Sequence, residues 1–142
     1  MAPTMNEASR NFPRLLMTLS ALLLFALGVP CTFAPDVVLT RITGTTSASA
    51  ELLVQLMGAL YVGFGALNWM SKGSLMGGIY GRPVALGNLL HFVAGAFALG
   101  RAAPVLGQPP IAWTVTVAYA LLAVGFCLVV FRNPLVNVSK NA

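Results

Sequence analysis

Apolar residues run in four unbroken blocks along this chain, and the polar residues are confined to the gaps between them. Leu15–Ala34, Leu52–Met70, Val84–Leu99 and Ile111–Phe131 contain no Asp, Glu, Lys or Arg. A hydrocarbon layer of ~30 Å takes ~20 helical residues to cross, at ~1.5 Å each. The third block reaches that length once it is extended to Ile79 and Arg101, which leaves Arg82 near the headgroups. The blocks lack the two-residue alternation of a membrane barrel. In lipid each backbone must then satisfy its own hydrogen bonds, which a helix does. The pattern therefore predicts an all-α, integral membrane four-helix bundle running up-down-up-down. The helices fall at about 15–34, 51–71, 79–101 and 110–131, in one transmembrane domain over 15–132. Residues 1–14 and 133–142 read as short polar ends.

Composition agrees. Hydrophobic residues make up 58% of the 142 residues and charged ones 8%, against roughly 45–50% and about a quarter in a soluble domain. A water-facing domain of this size could not hide so much apolar surface. With only three acidic residues and one histidine, most acid–base and nucleophilic mechanisms lack their groups. The net charge of +5 is spread singly along the chain, which is not a nucleic-acid footprint.

The basic residues do orient the helices. Arg10, Arg14, Lys72, Arg82, Arg132 and Lys140 fall on one side, and Arg41 and Arg101 on the other. By the positive-inside rule both termini and the 2–3 turn are cytoplasmic. Arg10 and Arg14 before an apolar run also resemble the start of a signal peptide. The run is long for that, however, and Gly28–Val29–Pro30–Cys31 lacks a lipoprotein cleavage pattern, so helix 1 is taken as a retained span. Ser49 is the expected N-cap of helix 2, with Glu51 in its first turn. Pro110 or Ile111 is expected to open helix 4, and Trp69, Tyr80 and Trp113 lie where interfacial rings belong.

Cys31 and Cys127 sit near opposite ends of their helices, roughly 18 Å apart in depth, too far for a disulfide. Both read as packing residues, Cys127 as a small core residue. Phe25–Ala26–Leu27–Gly28 recurs as Phe97–Ala98–Leu99–Gly100, a weak hint of two parallel hairpin repeats.

Candidate chemistry lies in the second and third helices. Glu51, Gln55, Gly58, Tyr61, Gly65 and Asn68 share an arc of about 140° on one helix. Val84, Gly87, Asn88, His91, Gly95 and Ala98 share about 100° on the next. Glycines mixed with hydrogen-bonding side chains are what close helix contacts in lipid use. If Glu51 and Arg101 lie level, Tyr61 falls opposite His91, Gly65 opposite Gly87, and Asn68 within about one turn of Asn88. This predicts a buried polar line of Gln55, Tyr61, Asn68, Asn88 and His91, closed at the outer mouth by a Glu51–Arg101 ion pair. Such a line serves either as interhelical glue or as a binding site. Lys72 and Arg82 flank a glycine-rich turn over 71–83 and are placed to meet anionic lipid headgroups. That turn lacks phosphate-loop spacing. No metal site is expected, because no ligand cluster is spaced for one, and a lone histidine cannot supply both axial ligands of a bis-histidine haem within one chain.

The segment Phe33–Ala34–Pro35, the loop glycine Gly44 and the run Gln55-x-x-Gly58–Ala59-x-Tyr61-x-Gly63-x-Gly65 resemble the DoxX-like group of small four-helix bacterial membrane proteins. Gly78–Ile79–Tyr80–Gly81–Arg82–Pro83 and Gly87–Asn88-x-x-His91 look like marks of a narrower subgroup within its domain-of-unknown-function relatives. The resemblance implies a multi-pass protein of the inner (plasma) membrane. Some members are linked to quinone-coupled sulfur or thiol oxidation beside other subunits, and this chain lacks the cysteine pair for it. The functional expectation is a non-catalytic accessory or scaffold subunit, or an apolar-ligand binder, that self-associates or joins a larger membrane complex. No cofactor is expected beyond a possible quinone or lipid. The alternatives are a quinone-linked oxidoreductase component, with Tyr61, Asn88 and His91 on the quinone carbonyls, and a small transporter, which lacks an intramembrane carboxylate.

Overall fold

The computed structural model describes residues 5–73, 81–105 and 109–131. Within them the chain forms five helices: α1 (Met5–Phe33), α2 (Pro35–Thr43), α3 (Ala48–Ser71), α4 (Gly81–Ala102) and α5 (Pro109–Phe131). Four of them, α1, α3, α4 and α5, are long and apolar enough to cross a membrane, which supports a small multi-pass membrane protein. Large apolar side chains point away from the protein, as they do in lipid: Phe97 is 73% exposed, Leu53 68% and Leu121 68%.

Several boundaries differ from the sequence reading. α1 begins at Met5 rather than Leu15, because hydropathy marks where lipid begins and not where a helix does. The expected start of the third helix at 79, the tail 133–142 and most of the 71–83 turn lie outside the described residues. The connection between the spans predicted at 15–34 and 51–71 contains a further helix, α2. Pro35 stands in its first turn with Asp36, Arg41 is in its last turn, and Gly44 closes it at φ 77°. A fixed proline φ suits a helix start, the two charges complement the helix dipole, and only glycine adopts that left-handed cap without strain. The Gly44 amide donates to the Thr40 carbonyl at 3.0 Å. The N-cap of α3 is Ser47, whose hydroxyl accepts from the Ala50 amide at 3.3 Å; Ser49, the expected cap, is already inside the helix. Glu51 lies in the first turn as expected.

Packing is uneven. α1 lies along α3 and α4 along α5, while α3 meets α4, and α1 meets α5, over short stretches. Glycines set the first of these contacts. A Cβ on Gly58 would stand 2.6 Å from the Thr32 amide nitrogen, and one on Gly28 would stand 2.9 Å from the Gly58 carbonyl oxygen. The two backbones touch where their side chains are missing. Gly65 faces Phe25 of α1, and the Tyr119 ring of α5 occupies the space beside Gly95. The glycines expected to press α3 against α4 therefore serve other neighbours, and Gly87 meets only the Phe64 ring, at 3.9 Å from its would-be Cβ.

The fully enclosed core gathers towards the end of the molecule that carries Lys72. Leu16, Met17 and Leu24 of α1, Ala85 and Phe92 of α4, and Tyr119, Leu122 and Phe126 of α5 fill it. The two copies of the Phe-Ala-Leu-Gly repeat are used differently: Phe25 packs on Gly65, whereas Phe97 faces outwards. Cys127 is exposed on α5 rather than buried in the core, and Cys31 is half-buried on α1; both are free thiols.

Candidate functional site

α3 and α4 meet through side chains that hydrogen-bond or stack. Asn68 of α3 and Asn88 of α4 are both fully buried. The Asn68 amide nitrogen donates to the Asn88 side-chain oxygen at 2.7 Å, and the Asn88 nitrogen donates back to Asn68 at 2.7 Å. The second hydrogen of each amide is also used: Asn68 donates to the Ser20 hydroxyl of α1 at 2.9 Å, and Asn88 to the Val84 carbonyl at 2.9 Å. Ser20 in turn donates to the Met17 carbonyl at 3.0 Å. Three helices are thus tied by one closed network. An unpaired amide in such surroundings would be costly, and no buried side-chain nitrogen or oxygen among the described residues lacks a partner.

One helical turn further along, His91 lies among aromatic rings. Phe64 stacks on it at 5.4 Å between centroids with planes 20° apart, and Tyr61 meets it edge-on at 5.5 Å. Tyr119 of α5 lies 5.6 Å away, and its hydroxyl is 3.5 Å from His91 Nε2. Phe92 bridges this group to the core through Tyr119 at 5.0 Å and Phe126 at 5.7 Å. These centroid spacings are those of favourable aromatic pairs. His91 and Tyr61 remain half-exposed, whereas Tyr119 and Phe92 are buried.

Of the five residues read as one polar line, four come together: Tyr61 with His91, and Asn68 with Asn88. Gln55 does not join them. Its side-chain nitrogen donates to the Thr32 carbonyl at 3.2 Å, near the end of α1, where helix carbonyls run out of intrahelical donors. The expected Glu51–Arg101 pair does not form among the described residues, since α3 and α4 touch near Tyr61 and Asn68 but not at Glu51. Lys72 and Arg82 stand at the facing ends of α3 and α4. The Lys72 ammonium sits 2.9 Å from the centre of the Trp69 ring, a cation–π contact, and Arg82 is exposed in the first turn of α4.

The sequence reading missed Ser20, Phe64, Phe92 and Tyr119. Tyr119 carried a readable signal, being the only tyrosine of its helix and close to its midpoint. Ser20 is a small hydroxyl in an otherwise apolar stretch, and nothing in its spacing distinguishes it from a filler. Among the described residues no group of three or more His, Cys, Asp or Glu is placed to hold a metal ion.

Comparison with protein-family models, with characterised proteins and with solved structures finds no match for this chain.

Proposed function

We propose that the chain is a small four-span protein of a bacterial inner membrane, with an up-down-up-down course and both ends cytoplasmic, which acts as a non-catalytic accessory or scaffold subunit and binds an apolar ligand at the α3–α4 seam. The observation that carries this reading is the division of the seam's polar groups. Asn68 and Asn88 spend three of their four amide hydrogens on joining α1, α3 and α4 and the fourth on the Val84 carbonyl of α4 itself, so their role is cohesion. His91 and Tyr61 keep part of their surface outside that network and are the groups left to meet a ligand. The DoxX-like resemblance and the distribution of Lys and Arg support the membrane and the orientation.

A quinone-linked role is the second reading, favoured by the adjacency of Tyr61 and His91. Asn88 drops out of the proposed quinone contacts because its amide is fully engaged. Native mass spectrometry of the chain released from mild detergent tests the proposal, since it reports copy number, partners and retained small molecules together. Co-purification with itself or another membrane subunit and an apolar adduct is the expected result. A bare monomer with no adduct in several detergents contradicts it.

A further inference from the structure

The hydrogen bonds from Asn68 to Ser20 and to Asn88 bring α1, α3 and α4 to one level. Towards the same end of the molecule each of the three carries a basic residue. Arg14 stands six residues from Ser20, Lys72 four from Asn68 and Arg82 six from Asn88. They therefore lie ~9, ~6 and ~9 Å beyond that network, at ~1.5 Å per helical residue. No carboxylate shares their level. Asp36 and Glu51 belong to the opposite end, and Glu7 lies seven residues, or ~10 Å, further out than Arg14.

Two of the three basic residues converge. On α1, Ala21, Phe25, Gly28 and Thr32 all meet α3 at Gly58 and Gly65. Arg14 continues that row, the five falling within an arc of about 60°, so it stands on the side of α1 that faces α3. On α3, Lys72 is turned about 40° from Asn68 towards the side on which Gly58 and Gly65 meet α1. Its ammonium is held 2.9 Å from the centre of the Trp69 ring. A rotamer-rich donor is thus ordered before anything binds it. Arg14 and Trp69 are exposed and Lys72 is half-buried. Arg14 opens the span Asn11–Phe33 and Lys72 directly follows the span Ala48–Ser71, which is headgroup depth. Arg82 stands apart from them. It lies half a turn of α4 round from His91, and His91 is the residue that faces α3.

We infer that Arg14 and Lys72, at the end of the α1–α3 seam and beside the Trp69 ring, bind the phosphodiester of an anionic phospholipid. Two cations with no carboxylate at their level complement a phosphate whose charge no choline or ethanolamine offsets. Arg14 supplies paired N–H donors to its oxygens, and Lys72 a fixed point charge. Basic groups between helices at the membrane surface recognise such headgroups. This rests on the membrane reading and is independent of the ligand proposed at the α3–α4 seam.

The full chain in an uncharged detergent is titrated with dioleoylphosphatidylglycerol or with dioleoylphosphatidylcholine, and lipid-bound species are followed by native mass spectrometry. Both lipids carry the same acyl chains, so a difference reports the headgroup alone. The first phosphatidylglycerol is expected to bind on the order of tenfold more tightly than the first phosphatidylcholine. Arg14→Gln combined with Lys72→Gln is expected to abolish the preference. Arg82→Gln, which removes an equal charge at an equal depth, is expected to leave it within about twofold. Circular dichroism checks that helicity is unchanged. Should the double variant lose helicity, Trp69→Leu replaces it, because it frees the Lys72 ammonium from an exposed position. A loss of about threefold is then expected, and no loss overturns the inference. Equal affinity for the two lipids overturns it, as does a preference that persists in the folded double variant. An Arg82→Gln loss as large as that of Arg14→Gln also overturns it, because the attraction would then belong to the whole charged end and not to this seam.

Discussion

Asn68 and Asn88 exchange two hydrogen bonds of 2.7 Å across the seam between α3 and α4. With Ser20 and the Val84 carbonyl taking the remaining two amide hydrogens, the pair is a closed unit. A half-satisfied amide pair would destabilise the fold; a complete one holds a single arrangement of helices. It ties the α1–α3 pair to α4, which otherwise packs mainly on α5. The seam is therefore narrow and specific rather than broad and greasy.

Gly58 sets the approach of α1 to α3, and its substitution tests that contact. A Cβ there would meet backbone, 2.6 Å from the Thr32 nitrogen and 2.8 Å from the Cys31 carbonyl carbon, and backbone cannot swing aside. Gly58→Val is expected to lower stability by about 3 kcal/mol. Gly63→Val, where nothing lies within 4 Å of the Cβ, is expected to change it by less than about 0.5 kcal/mol. Loss of helicity by circular dichroism on titration with denaturing detergent measures both.

Gly95 and Gly125 make a second contrast. A Cβ on either would come 2.5 Å from a neighbouring side chain, the Tyr119 ring for Gly95 and a Leu16 terminal methyl for Gly125. The Tyr119 ring is fixed by Phe92 and His91, whereas a leucine methyl can rotate away. Gly95→Ala is expected to cost about 2 kcal/mol and Gly125→Ala under about 1. In the same detergent titration, Tyr119→Leu is expected to relieve most of the Gly95→Ala penalty.

What the chain disclosed before its structure was the solvent and the residue types, and much less the directions in which they point. Four spans follow from the absence of fixed charge, which lipid enforces. Tyr61, His91, Asn68 and Asn88 stood out because polar groups in apolar runs are few. The division of one face of α3 between two neighbours was not legible. Gly58 and Gly65 turn towards α1, while Tyr61 and Asn68 turn towards α4, and all four fall within a single arc of about 140°. Periodicity finds such an arc without saying how many helices share it. α2 was legible in principle, with Pro35, Asp36 and Gly44 at the positions a helix start and stop require. The Thr- and Ser-rich stretch after it drew the whole connection into a loop.

The proposed orientation gives opposite sides to Ser49, in the first turn of α3, and Lys72, just beyond its last. On a Cys31→Ala, Cys127→Ala background, Ser49→Cys is expected to react with a membrane-impermeant maleimide added to intact cells. Lys72→Cys is expected to react only after the membrane is opened. The reverse pattern would invert the topology, and labelling of both from outside would remove the span between them.

The most direct test of the clasp is a double-mutant cycle on Asn68→Leu and Asn88→Leu, with stability read by denaturing-detergent titration. Each single change strands the other amide, so each is expected to cost about 1–2 kcal/mol. The double variant, with both amides gone, is expected to cost about 1 kcal/mol less than the two singles combined. Additive losses, agreeing within about 0.3 kcal/mol, would mean that Asn68 and Asn88 do not meet and that α3 and α4 are held together elsewhere.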